Sequence, residues 1–96
     1  MAKGYWIVLY RSVSNAAALA DYAKLSGPAI QAGGGRFLAR GAPARTFEAG
    51  LNQRTVVIEF DSVEAAISTY ESPAYQAALK VLGNAAERDV RFLAGL

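Results

Sequence analysis

Three consecutive glycines, Gly33-Gly34-Gly35, run directly into Arg36-Phe37-Leu38-Ala39-Arg40-Gly41, and this segment constrains the chain more than any other. A glycine run ends a helix, because glycine enters the left-handed conformation without a steric penalty. The residues after it are strand-length. Side chains alternate faces along a strand, so Arg36, Leu38 and Arg40 are expected on one face and Phe37 and Ala39 on the other. Two guanidinium groups would then project from one side of a sheet, where an anion or an acidic partner could meet them.

The neighbouring segments supply the rest of an alternating order. Tyr5-Trp6-Ile7-Val8-Leu9-Tyr10 is β-branched, aromatic or aliphatic throughout and reads as a central strand with both faces buried. Ser12 to Asn15 offers capping oxygens for a helix from about Ala16, with Leu19, Tyr22, Ala23 and Ile30 at helical spacing. Gly27-Pro28 predicts a kink or break in it. Residues Gly41 to Gln53 form a loop, and Arg54 to Phe60 is the third strand. Asp61, with Glu64 three positions on, is expected to cap a helix that buries Val63, Ala66, Ile67 and Tyr70. Ser72-Pro73 opens another, with Tyr75, Ala78, Leu79 and Leu82 inward and Gly83 as its stop. Asp89 to Leu93 is the fourth strand.

This β-α-β-β-α-β order predicts a single domain over residues 1–96, α+β in class: a ferredoxin-like fold with a four-stranded antiparallel sheet and its helices on one face. The other face would carry strand-one side chains, Leu38 and Val57, a large apolar patch if left bare. A second copy is the simplest cover, so a sheet-to-sheet homodimer, a dimeric α+β barrel, is expected. At 96 residues the core is modest, and assembly would supplement it.

Composition excludes several chemistries. The chain has no cysteine and no histidine, so thiolate nucleophiles, disulfides and imidazole acid–base catalysis are ruled out. The eight carboxylates are scattered, and no metal site or cofactor is expected. Net charge is +2, with four arginines and one acid, Glu48, between Arg36 and Arg54. That excess suits a small anion rather than nucleic acid. The third strand lacks the aromatic pair of an RNA-recognition module, and the glycine run follows a helix instead of opening one, the reverse of a phosphate loop. No segment is long and apolar enough to span a membrane, and no signal-peptide pattern opens the chain, so a cytoplasmic location is expected.

If Leu38 lies opposite Val57, Arg36 faces Glu59 and Arg40 faces Thr55. Two readings follow. Arg36, Arg40 and Glu59 either pair with protein groups inside a dimer interface, or Arg40 binds an anion while Glu59 orients Arg36. Tyr22, Tyr70 and Tyr75 lie on inner helix faces, as core packing or as phenols lining a pocket between helices and sheet. The candidate ligand-binding set is Tyr22, Arg36, Arg40, Glu59 and Tyr75. Arg88 and Arg91 read as surface charges.

The segments Tyr5-Trp6-Ile7-Val8, Tyr22 before Pro28-Ala29-Ile30, Gly34 to Gly41, Val57-Ile58-Glu59-Phe60 and Tyr70-Glu71-Ser72-Pro73-Ala74-Tyr75-Gln76 together resemble the DUF1330 family of the dimeric α+β barrel superfamily, over nearly the whole chain. The resemblance implies the fold and the dimer, and the family's function is unassigned. The wider superfamily includes cofactor-independent monooxygenases, muconolactone-isomerase-like enzymes and haem-degrading enzymes. The expectation is a homodimer binding a small carboxylated or phenolic molecule. The alternatives are a cofactor-free oxygenase or isomerase using a tyrosine or Glu59 for proton transfer, and an interaction module without a ligand.

Overall fold

The computed structural model describes residues 2–96. Its elements are β1 (Gly4–Val13), α1 (Ala16–Ala32), β2 (Arg36–Gly41), β3 (Thr55–Phe60), α2 (Val63–Tyr70), α3 (Pro73–Leu82) and β4 (Ala86–Ala94). The strands form one antiparallel sheet in the order β2-β3-β1-β4, the expected ferredoxin-like arrangement. The all-apolar strand β1 is central. Trp6, Val8 and Tyr10 are buried beneath the helices, while Tyr5, Ile7 and Leu9 are half-buried on the open face. β3 repeats the pattern, burying Val56, Ile58 and Phe60 on the helix side.

Aromatic packing centres the core on Trp6, which is fully buried with Tyr75, Phe60 and Ile58. Its ring meets Tyr75 edge-on at 4.8 Å, Tyr70 edge-on at 5.5 Å, Phe92 at 5.4 Å and Phe60 in a stack at 6.3 Å. Edge-to-face pairs of this kind add about 0.5–1.5 kcal/mol each beyond area burial. Trp6 thereby joins α2, α3, β3 and β4 at one point.

The helices begin and end largely where capping chemistry requires. The Asn15 side chain accepts a hydrogen bond from the Ala18 amide at 3.0 Å, and the Ser72 hydroxyl accepts from the Tyr75 amide at 3.3 Å ahead of Pro73. Gly34, at φ 93°, supplies the expected left-handed turn after α1. Two expectations are corrected. Of the kink or break expected at Gly27-Pro28, no break occurs, and α1 runs unbroken through it. A residue before proline leaves the helical region mainly because its Cβ meets the proline ring; Gly27 has none, and buried Ala29 and Ile30 anchor the turn beyond. Ser62, not Asp61, caps α2, accepting from the Ala65 amide at 3.1 Å. Asp61 is drawn instead to Lys3 at 3.4 Å and Arg36 at 3.2 Å. The inward face of α2 differs accordingly: Ala66 and Thr69 are buried, and Ile67 is 39% exposed.

The most consequential correction lies in β2. Arg36 pairs with Glu59 and Phe37 with Ile58, as expected, but the register then shifts across Leu38. Ala39, not Leu38, lies opposite Val57, and Arg40 lies opposite Val56, not Thr55. A bulge puts one extra residue into one strand and reverses the facing of all that follow. Arg36 and Arg40 therefore do not share a face: Arg40 turns to the helix side, with its guanidinium 4.7 Å from the centre of the Phe37 ring.

Gly35 is buried where the chain enters β2. A Cβ there would lie 2.6 Å from Ile30 Cγ2 and 2.8 Å from the Phe60 ring. Gly35→Ala is expected to lower unfolding free energy by about 1–3 kcal/mol, read by denaturant titration; a change within about 0.5 kcal/mol would show that this junction is loosely packed.

Candidate functional site

The strand registers arrange the helix-facing side of the sheet in rows. Phe37, Ile58, Trp6 and Phe92 form one row and Arg40, Val56, Val8 and Val90 the next. In the third, Tyr10 lies beside Arg88, and its amide donates to the Arg54 carbonyl at 3.0 Å on the other side. The first half of α1 passes over the second and third rows. Ala16, Ala20, Ala23 and Gly27 recur at helical spacing between the larger Leu19, Tyr22 and Ile30 along the cleft, and α1 rests mainly on α3. Short side chains over a flat apolar floor leave a cleft of about 270 Å³ between α1 and the sheet, near the lower bound for small-molecule sites.

Arg40, Arg54 and Arg88 line the cleft, and no carboxylate does. Among the described residues, none of the three has a carboxylate partner within 4.0 Å. Three uncompensated guanidiniums around an apolar cavity make a site for negative charge.

Arg88 is the most elaborately held. Its two terminal nitrogens donate to the Tyr22 hydroxyl at 3.0 Å and the Tyr75 hydroxyl at 3.3 Å, and the two hydroxyls are 2.6 Å apart. The guanidinium lies 5.1 Å from the Tyr22 ring centre and 5.6 Å from that of Tyr10. Tyr75 is wholly buried, whereas Tyr22 lines the cleft. Only one phenol proton fits between the two oxygens. If Tyr22 supplied it, the Tyr75 proton would be stranded in the core at a cost of about 1–3 kcal/mol. The satisfied arrangement has Tyr75 donating to Tyr22, which leaves the Tyr22 O–H and the remaining Arg88 N–H groups for a ligand. Burial, followed by the neighbouring Tyr22 oxygen, pushes the Tyr75 phenol well above its ordinary range. Burial works against the Arg88 charge, but the two phenol oxygens more than offset it, so the guanidinium stays protonated.

The expected set divides between the two faces of the sheet. Tyr22 and Arg40 line the cleft, and Tyr75 stands directly behind Tyr22. Arg36 and Glu59 lie on the open face as the expected cross-strand pair, at 3.2 Å, with Asp61 and the Tyr5 hydroxyl completing the cluster. The hydrogen bond to Glu59, chiefly, raises Arg36 above its usual range, while Lys3 and Arg36 hold Asp61 below the usual carboxylate range. Arg91 is an exposed surface charge as expected, paired with Asp89 at 2.8 Å. Arg88 is not. β4 begins at Ala86 rather than Asp89, and strand alternation through Ala86, Arg88, Val90 and Phe92 puts Arg88 on the helix side. That alternation was the available signal. Arg54, just before β3, also lines the cleft.

The family model for a domain of unknown function, DUF1330, matches residues 3–96. No curated protein matches the chain. Among solved structures, the RPA0582 protein of unknown function from Rhodopseudomonas palustris superimposes with a TM-score of 0.76 at 21% identity, over 99% of this chain and 83% of that one. A dimeric ferredoxin-like protein of unknown function from Thermobifida fusca gives 0.55 at 20% identity, over 97% and 91%. A Caulobacter crescentus protein named as a candidate antibiotic biosynthesis monooxygenase gives 0.60 at 17%, over 99% and 90%. At these identities the likenesses establish the fold.

The Tyr75 hydroxyl lends itself to a pH test. Its folded-state pKa lies above the unfolded value of 10.0, so its contribution is complete below about pH 10 and is lost as pH rises further, where the unfolded chain has released a proton the native state retains. The denaturant midpoint is expected to fall above about pH 10, and Tyr75→Phe to make that fall shallower while costing about 1–3 kcal/mol at neutral pH. Identical alkaline slopes in the two proteins would contradict retention of the Tyr75 proton in the buried core.

Proposed function

This chain belongs to the DUF1330 family, and we propose that it binds a small anionic molecule with an apolar body in the cleft between α1 and the sheet. The observation that carries this reading is the trio Arg40, Arg54 and Arg88 facing an apolar cavity with no carboxylate to neutralise them. Arg88 and the Tyr22 hydroxyl present converging donors at one end, and a carboxylate accepts such a fork in two parallel, charge-assisted bonds. Leu19, Phe37 and Val56 offer the ligand's body an apolar surface. The test is a calorimetric titration with octanoate and benzoate. Arg88→Lys, which keeps the charge but loses the fork, is expected to weaken binding by about tenfold, with the fold checked by circular dichroism. Absence of binding, or equal affinity in a folded Arg88→Lys protein, overturns the reading.

A second reading is a cofactor-free oxygenase or isomerase. It is supported by the place of the Tyr22 hydroxyl on the cleft wall beside Arg88, where it could pass a proton to a bound anion. Chemical conversion of a bound compound would favour this reading; recovery of the compound unchanged favours binding alone.

A second copy of the chain covers the open sheet face in this proposal. Ile7, Leu9 and Val57 are half-buried there, and Leu93 is 55% exposed. The Thermobifida fusca neighbour is described as dimeric, and a face of this composition suits a self-complementary interface. Sedimentation at micromolar concentration is expected to give a dimer mass and Leu93→Lys to shift it toward monomer; a monomeric wild-type chain overturns the assembly.

A further inference from the structure

The cleft has two cationic ends. At the inner end stands half-buried Arg88 with Tyr22. At the outer end, Arg40 lies opposite Val56, two residues along β3 from Arg54, so the two arginines are diagonal neighbours on adjacent strands. The backbones of such neighbours stand about 7–8 Å apart, within joint reach of one group for side chains as long as arginine. Among the described residues no carboxylate pairs with either, and Arg40 lies against the Phe37 ring. Between the ends the floor is Val8, Val56 and Tyr10, which offer no charge.

We infer that the ligand is a diacid, a small apolar spacer with a carboxylate at each end, one on Arg88 and Tyr22 and the other on Arg40 and Arg54. The inference rests on the cleft-binding reading above and specifies it. A monoanion bound at the inner end would leave Arg40 and Arg54 without an anionic partner. A second carboxylate between those two supplies one through charge-assisted hydrogen bonds. The sheet spaces the anchoring strands. Arg54, just before β3, and Arg88, on β4, flank β1 on either side, so their backbones are about 10 Å apart at roughly 4.8 Å per strand. The guanidiniums are carried on flexible side chains, and an extended eight-carbon diacid is a probe on that length scale.

The experiment compares suberate with octanoate, which share a chain length and differ by one carboxylate, by calorimetric titration of the intact protein. Suberate is expected to bind about tenfold tighter or better. The double variant R40Q/R54Q should reduce that preference to within about twofold, and R40Q alone, at an exposed position, should reduce it in part. Equal affinities of the wild-type protein for the two compounds overturn the two-ended ligand and leave the cleft reading standing. Failure of both compounds to bind overturns both. A preference for suberate that survives in the folded double variant assigns the second carboxylate elsewhere and also overturns the inference.

Discussion

The Tyr75 side chain ties the core to the candidate site. Its ring meets the edge of Trp6, the residue on which four other elements converge, and its hydroxyl reaches Tyr22 and Arg88. One buried phenol therefore fixes α3 against the sheet, holds α1 by its Tyr22, and positions the guanidinium of β4. A hydroxyl in such a place is costly unless every proton and lone pair has a partner. Arg88 supplies a donor that stays charged under all ordinary conditions, and the network in turn gives Arg88 a defined orientation. In the proposed function, packing and recognition are two aspects of one cluster, and rigidity at the inner end of the cleft follows from burial in the core.

The two faces of the sheet treat charge in opposite ways. On the open face, Arg36, Glu59, Asp61 and Lys3 form a mutually neutralising group, and Asp89 pairs with both Arg91 and Arg11. These are exposed pairs of small energetic value individually, and they leave little net field. On the helix side three arginines stand without acids. The distribution of partners, rather than the number of arginines, separates a face whose charges are largely paired from a cavity whose arginines lack acids.

Most of the fold could be read from residue order. Glycine stops, capping serines and an apolar central strand each act locally, and strand order followed from their succession. The site was only half legible. Tyr22, Tyr75 and Arg40 were identified as polar groups of interest, but their grouping depended on register and strand length. Arg88 was passed over because the start of β4 was placed three residues late, which left it in a loop where alternation has no meaning. Arg40 was placed on the wrong face because nothing in Arg36-Phe37-Leu38-Ala39-Arg40 announces a bulge; its facing is settled by tertiary pairing with β3. The cap of α2 moved by one residue because Ser62 takes the extended cap conformation and its hydroxyl accepts from the Ala65 amide, while Asp61 reaches outward to Lys3 and Arg36.

The bulge at Leu38 also bears on how such a cleft could arise and be lost. For every residue beyond it, an irregularity of one position is equivalent to turning the strand over. Two related chains could keep the same string of residue types through β2 and still present the corresponding arginine to opposite sides of the sheet, one toward a ligand and one toward whatever covers the open face. Divergence at this position would then proceed by a change of phase, invisible to comparison of residue identities column by column. An ancestral interface charge could become a ligand contact without any substitution of the arginine itself.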